Sequence, residues 1–303
     1  MVAMVAFLKN HKTGRLFVSL LTISTLAFNQ CNHNPFDDDV IAHTKNSITG
    51  NVEQNRADGP QKVFVWLEGF DIGTWTNTSG NFKIDLPPSP IQPGGGLTGS
   101  FKLFFYVSNF KLDSSIIAVQ NGELKMSYGD VDETGRLRNQ KHLIKTLHIK
   151  TEVIPSSVQE NYDGPISVEL ILQSADDKDT VYIKYPDKAE GPLTVLFFQN
   201  IEAAKDSITI LGNDLLLDNF SFADDSISSV PNVWSSAFQF SPNFLPRGTY
   251  QVIPFFIIGR QKVPPALLNN FGDNIELPNK NFVNVPTTRT GGFFNVTPKG
   301  DTN

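Results

Sequence analysis

Lys62-Val63-Phe64-Val65-Trp66-Leu67 alternates with a period of two, which puts Val63, Val65 and Leu67 on one face of a strand and Phe64 and Trp66 on the other. Both faces are apolar, so such a strand is either covered on both sides or leaves an aromatic patch in solvent. Runs of the same kind flank it. Ile48-Thr49-Gly50-Asn51-Val52 precedes it; Gly73-Thr74-Trp75-Thr76-Asn77-Thr78 follows, and then Asn81-Phe82-Lys83-Ile84-Asp85-Leu86, with Phe82, Ile84 and Leu86 sharing a face. Residues 101–107 and 115–119 continue the pattern, and the gaps are mostly short and rich in turn residues, as in a β-sandwich.

From His142 the strand-like runs go on, over residues 143–154, 166–172, 180–185, 193–198, 208–211, 237–240 and 250–258. Val168, Leu170 and Leu172 alternate with Ser167, Glu169 and Ile171 as on a half-buried strand. Pro254 lacks an N–H and points to an edge strand or a bulge. The segment from Phe271, rich in Asn, Pro, Thr and Gly, reads as an extended tail that forms either an edge or a partly disordered end. No long helical period occurs between residues 40 and 303. The fold class is therefore all-β, with two tandem β-sandwich domains: residues 47–125, then a linker at 126–141, then residues 142–303 including the tail. A length of 303 residues suits two domains.

Several of these residues carry a family resemblance. The order Ile48-Thr49-Gly50-x-Val52, Val63-x-Val65-x-Leu67 and Thr76-x-x-Ser79-Gly80-x-Phe82-x-Ile84 resembles the carboxypeptidase regulatory-like domain. The resemblance covers roughly residues 47–120. It implies a transthyretin-like β-sandwich in which Gly80 permits a positive φ in the turn and Phe82 plugs the core. Tyr106-Val107-Ser108-Asn109-Phe110 is similar to the family's closing strand, with Asn109 where the family has glycine. The insertion 87–99, with Gly94-Gly95-Gly96, exceeds the family's usual loop. The family implies a spacer or interaction module and no catalysis. In the second half, Leu245-Pro246-Arg247-Gly248-Thr249-Tyr250 resembles the tyrosine corner of immunoglobulin-like sandwiches, where a tyrosine near a strand start returns its hydroxyl to upstream backbone.

The first thirty residues decide the compartment. Lys9, Lys12 and Arg15 precede an apolar run of thirteen residues at 16–28, and no acidic residue occurs before Asp37. That length fits a signal-peptide core of about 7–15 residues rather than a membrane span of roughly 20. Three residues later comes the one cysteine of the chain, Cys31. Leu26-Ala27-Phe28-Asn29-Gln30-Cys31 resembles a bacterial lipobox, with Asn29 and Gln30 replacing the usual small residues. The resemblance implies cleavage before Cys31 and acylation of its thiol; a conventional signal peptide with an incidental thiol is the alternative. Residues 1–30 are thus the signal peptide. Residues 31–46, polar and with an acidic run at Asp37-Asp38-Asp39, form a flexible tether. A lone cysteine excludes an internal disulfide. Without the leader's three basic residues, 22 basic residues stand against 31 acidic ones, a balance of about −9. Nucleic acid, which demands clustered Lys and Arg, is a poor partner for such a chain.

Candidate chemistry is sparse. Asp130, Asp132 and Thr134 occupy positions 1, 3 and 5 of a calcium-loop spacing, with Gly135 at position 6. Position 12 is Lys141, a cation where a bidentate carboxylate is required, so the stretch reads either as a weak Ca²⁺ loop or as an acidic turn. His142 and His148 would share a strand face about 20 Å apart, too far to hold one metal. Asp176-Asp177 and Asp224-Asp225 sit among turn residues and read as solvated loops. Neither HExxH, GxSxG nor a P-loop is present. The sequence thus predicts no catalytic residue, no metal and no cofactor. It points to a membrane-anchored lipoprotein with an interaction or scaffold role, its partner a protein or a carbohydrate. The alternative is a carbohydrate-binding module, or an accessory subunit of an extracellular hydrolase, using Trp66, Trp75 and Trp234 as exposed rings.

Overall fold

Alternation becomes pairing in the computed structural model, which describes residues 46–53, 59, 61–188, 191–202, 207–212, 221–259 and 262–299. Strands make up 49% and helix 7%, so the protein is all-β. Seven strands come first: Ser47–Asn51 (β1), Phe64–Leu67 (β2), Ile72–Trp75 (β3), Asn81–Asp85 (β4), Gly99–Tyr106 (β5), Asp113–Gln120 (β6) and Glu123–Gly129 (β7). β1 and β4 pair antiparallel, and the others form a sheet in the order β3-β2-β5-β6-β7. Between the two sheets lies one core. β2 with Val63 before it gives Val63, Val65 and Leu67, β4 gives Phe82 and Ile84, and β5 gives Leu103 and Phe105.

The turn before β4 is built as its sequence requires. Gly80 has φ +78°. Its N–H donates to the Asn77 carbonyl, while the Asn77 side chain accepts from the N–H groups of Ser79 and Asn81. Phe82 then enters the core and meets Phe105 edge-on at 5.7 Å. Opposite it, Gly50 leaves room for the ring: a Cβ there would lie 2.7 Å from Phe82.

Twelve strands follow. They are Leu147–Ile154 (β8), Ser157–Gln159 (β9), Pro165–Ser174 (β10), Val181–Pro186 (β11), Leu196–Asn200 (β12), Ile208–Leu211 (β13), Phe222–Ile227 (β14), Asn232–Gln239 (β15), Gly248–Pro254 (β16), Ile257–Ile258 (β17), Thr290–Gly291 (β18) and Phe293–Thr297 (β19). Their sheets run β15-β10-β8-β18, β14-β11-β17 and β13-β12-β16-β19-β9. In β10, Ile166, Val168, Leu170 and Leu172 are all fully buried, the alternation expected of them. Val168 belongs to a core shared with Phe198, Tyr250 and Phe294, and Leu172 to one shared with Ile183, Trp234 and Phe256. The Tyr250 hydroxyl donates to the Pro246 carbonyl at 2.7 Å, so the corner geometry expected at residues 246–250 is present.

Three expectations are corrected. Pro254 does not place its strand at an edge: β16 lies inside its sheet, and the proline is the strand's last residue, where a missing N–H interrupts no ladder. Asp224 and Asp225 lie on β14, paired with Lys184 and Ile183, rather than in a loop. The segment after Phe271 is not a disordered tail, and of its two strands β18 is an edge while β19 lies inside a sheet. The segment follows a short helix, Pro265–Asn269 (α1), passes through a 3₁₀ turn at Lys280–Asn284, and ends in β18 and β19, which pair parallel with β8 and β9. Its turn-rich composition, with Gly272, Pro278 and several Asn between them, concealed the apolar residues Phe271, Ile275, Phe282 and Val285, which are all buried.

Candidate functional site

The returning segment explains why β2 is apolar on both faces. Leu267, Phe271, Ile275 and Val285 pack on Phe64, Trp66, Phe104 and Tyr106, the outer face of β2 and β5. Phe271 meets Phe64 edge-on at 4.9 Å and stacks on Tyr106 at 5.8 Å. Residues from Asn46 onward form one compact unit. Asn109 fastens the seam. It is fully buried, its Nδ2 donates to the carbonyls of Leu147 and Thr288 at 2.9 Å each, and its Oδ1 accepts from the Thr288 N–H at 3.0 Å. Beside it, the Ser108 N–H donates to the Pro286 carbonyl at 2.7 Å.

Where the segment leaves the aromatic face and enters β18, it walls a cleft of about 1030 Å³. Trp75 and Phe271 stand on one side, Lys145 and Arg289 are cations of the lining, and Gln199 and Gln251 line it as well. The two glutamines are direct partners across β12 and β16, so their amides project from the same face. Arg289 is half-buried, its guanidinium 5.8 Å from the centre of the Phe282 ring. Its Nε is sealed from solvent and has no hydrogen-bond partner. Burial pushes its pKa down to about 10, which leaves it charged at neutral pH. Among the described residues no acidic side chain lines the cleft, and Arg289 forms no ion pair. A second cleft, of about 990 Å³, differs in this respect: its wall mixes lysines with Asp176, Asp177 and Asp179, and Lys111 bonds Asp179 at 3.2 Å.

The residues singled out from sequence fall in several places. Trp66 and Trp234 are buried, at 3% and 7% exposure; Trp66 stacks on Phe104 and donates its indole N–H to Asp71, and Trp234 packs on Tyr185 and Phe256. They form no exposed row with Trp75, because each was needed to fill a core. Trp75, 40% exposed, lines the cleft. Asp130 and Asp132 serve as backbone caps. Asp130 Oδ2 accepts from the Ile116 N–H, and Asp132 Oδ1 accepts from Thr134 N–H, Thr134 hydroxyl and Arg136 N–H. The Thr134 bonds above all hold the Asp132 carboxyl below its usual pKa. His142 pairs with Glu53 and His148 lies on β8. Among the described residues no group of three or more His, Cys, Asp or Glu is placed to hold a metal, and no helix is long and apolar enough to cross a membrane. Cys31 and the rest of residues 1–45 lie outside the described residues.

Arg289, Lys145, Gln199 and Gln251 escaped the reading of the sequence, because four separate segments supply them and no local spacing joins them. The one signal was Arg289 itself, an isolated charge in the apolar and hydroxylated stretch 285–290. Comparison with protein-family models, with curated proteins and with solved structures finds no match to this chain. The geometry of the cleft and the chemistry of its lining are thus what a functional reading stands on.

Proposed function

We propose that this chain is an exported lipoprotein, anchored through Cys31, that works at the cell envelope as a non-catalytic interaction module. The leader at residues 1–30 and the polar stretch that follows support export and tethering. The observation that carries the binding role is the cleft. It offers cations, amides and an aromatic wall, and its described lining lacks the paired acid and base that proton transfer would need. In finer detail, the first sandwich, β1 to β7, is transthyretin-like and of the carboxypeptidase regulatory-like kind, an assignment favoured by the Gly80 turn and the buried Phe82. Residues 142–303 are an immunoglobulin-like sandwich, favoured by the bond from Tyr250 to Pro246.

The test of the anchor is metabolic labelling with radioactive palmitate. Wild-type protein takes up label, and Cys31→Ser does not and accumulates as precursor. Recovery of wild-type protein soluble, unlabelled and beginning at another residue would remove the anchor and leave export standing. Carbohydrate binding is the second reading, and one observation favours it: Trp75 presents a half-exposed ring at the cleft wall. Trp66 and Trp234 contribute nothing to it, since a buried ring cannot stack on a sugar.

A further inference from the structure

A cation taken partly out of water is costly unless something of opposite charge faces it. Arg289 is such a cation. Its Nε is sealed and unbonded, and the described lining of its cleft contains no carboxylate. The flanking backbone holds it in place. The Thr288 N–H and carbonyl are both bonded to Asn109, and the Thr290 hydroxyl donates to the Ile149 carbonyl. The residue is therefore fixed, charged and without a protein counter-ion among the described residues. A guanidinium presents a planar fork that matches the two oxygens of a carboxylate or a phosphate.

The rest of the lining restricts what carries the anion. Gln199 and Gln251, as cross-strand neighbours, offer both donors and acceptors, which suits hydroxyl groups. Trp75, held from behind by Phe64 at 5.2 Å, exposes ring surface of the kind on which the C–H face of a sugar settles. At about 1030 Å³ the cleft reaches the upper end of small-molecule sites, roughly 300–1,000 Å³, and has space for more than one ring. We infer that the cleft binds an anionic sugar, with its acid group on Arg289, its ring face on Trp75 and its hydroxyls on Gln199 and Gln251. The inference rests on the cleft being a binding site and is independent of the lipid anchor.

The experiment titrates the full-length chain, in detergent, with D-glucuronate, D-glucose 6-phosphate and D-glucose, reading tryptophan emission. Trp75 is the one half-exposed indole and so the reporter. A saturable change is expected with at least one of the two anions, and at least tenfold weaker binding of glucose. A response to glucuronate alone assigns the acid as carboxylate, and a response to the phosphate alone assigns it as phosphoryl. Arg289→Gln should weaken the anion at least tenfold, and Arg289→Lys should retain part of the affinity. On the wild-type chain itself, raising salt from 0.05 to about 0.5 M should weaken the anion, a check that needs no variant to fold. Glucose binding as tightly as the anions, with Arg289→Gln without effect, would overturn the anionic preference and leave the cleft a sugar site. Absence of any response to all three sugars would overturn the inference and leave the cleft, as an interaction site, to a partner other than a sugar.

Discussion

Asn109→Ala should open the seam between the first sandwich and the segment that returns to cover it. The Asn109 side chain makes three hydrogen bonds from a fully buried position, to Leu147 O, Thr288 O and Thr288 N. A hydrogen bond contributes about 1 kcal/mol net, but a buried group left without its partner costs about 1–3 kcal/mol. Alanine strands three such groups, two of them on the stretch that positions Arg289. Water reaching the partly exposed side of Thr288 offsets some of that cost, so the expected loss is roughly 3–5 kcal/mol. With a urea m-value near 3 kcal/mol/M, the high end for small proteins, the midpoint should fall by about 1–1.7 M. Asn109→Asp keeps the shape yet loses both donated bonds and buries a charge, so it should cost at least as much. Equilibrium urea unfolding followed by circular dichroism measures both. A loss under about 1 kcal/mol in both variants would refute the reasoning, because it would mean that Asn109 is hydrated or that the seam opens freely.

Phe82→Ala should cost roughly 3–5 kcal/mol, since the ring sits between the two sheets of the first core at 5% exposure; an unresolvable change in urea midpoint would take Phe82 out of the core. Tyr250→Phe should lose about 1 kcal/mol through the bond to Pro246, and it should do so at constant m-value. Burial pushes the Tyr250 hydroxyl pKa up, so it stays a neutral donor through the physiological range, and a pH-dependent difference between pH 6 and 9 would contradict that. The Asp132 carboxyl has its pKa lowered in the folded protein from 3.8, so its contribution is present above that value and is lost as pH falls through the folded pKa. Asp132→Asn should therefore be less stable than wild type at pH 6, with the difference shrinking as pH falls below 3.8, by thermal melting at each pH. Calcium should leave the melting temperature where it is, because the Asp130 and Asp132 oxygens already accept backbone N–H groups; a rise abolished by Asp130→Ala would establish a site.

Much of the fold was legible along the chain. Period-two alternation in Phe64–Leu67 and Pro165–Ser174 reports a strand because successive side chains must point to opposite faces, whatever else the chain does. The Gly80 turn and the Tyr250 corner were legible for a similar reason, as each is closed by atoms within four residues. The sequence also posed a question in Phe64 and Trp66, an apolar second face that demanded cover. It could not answer it. Leu267, Phe271, Ile275 and Val285 lie some two hundred residues downstream, in a stretch whose Asn, Gly and Pro content reads as loop. The cleft was still less legible. Arg289, Gln199, Gln251 and Trp75 come from separate strands or their margins, and nothing local marks any of them as a partner of the others. Backbone alternation is a property of neighbours in the chain and can be read from them. The burial of a face and the isolation of a charge depend on which distant segment arrives, and for this protein only the tertiary structure decided that the C-terminal segment arrives and leaves Arg289 facing the cleft.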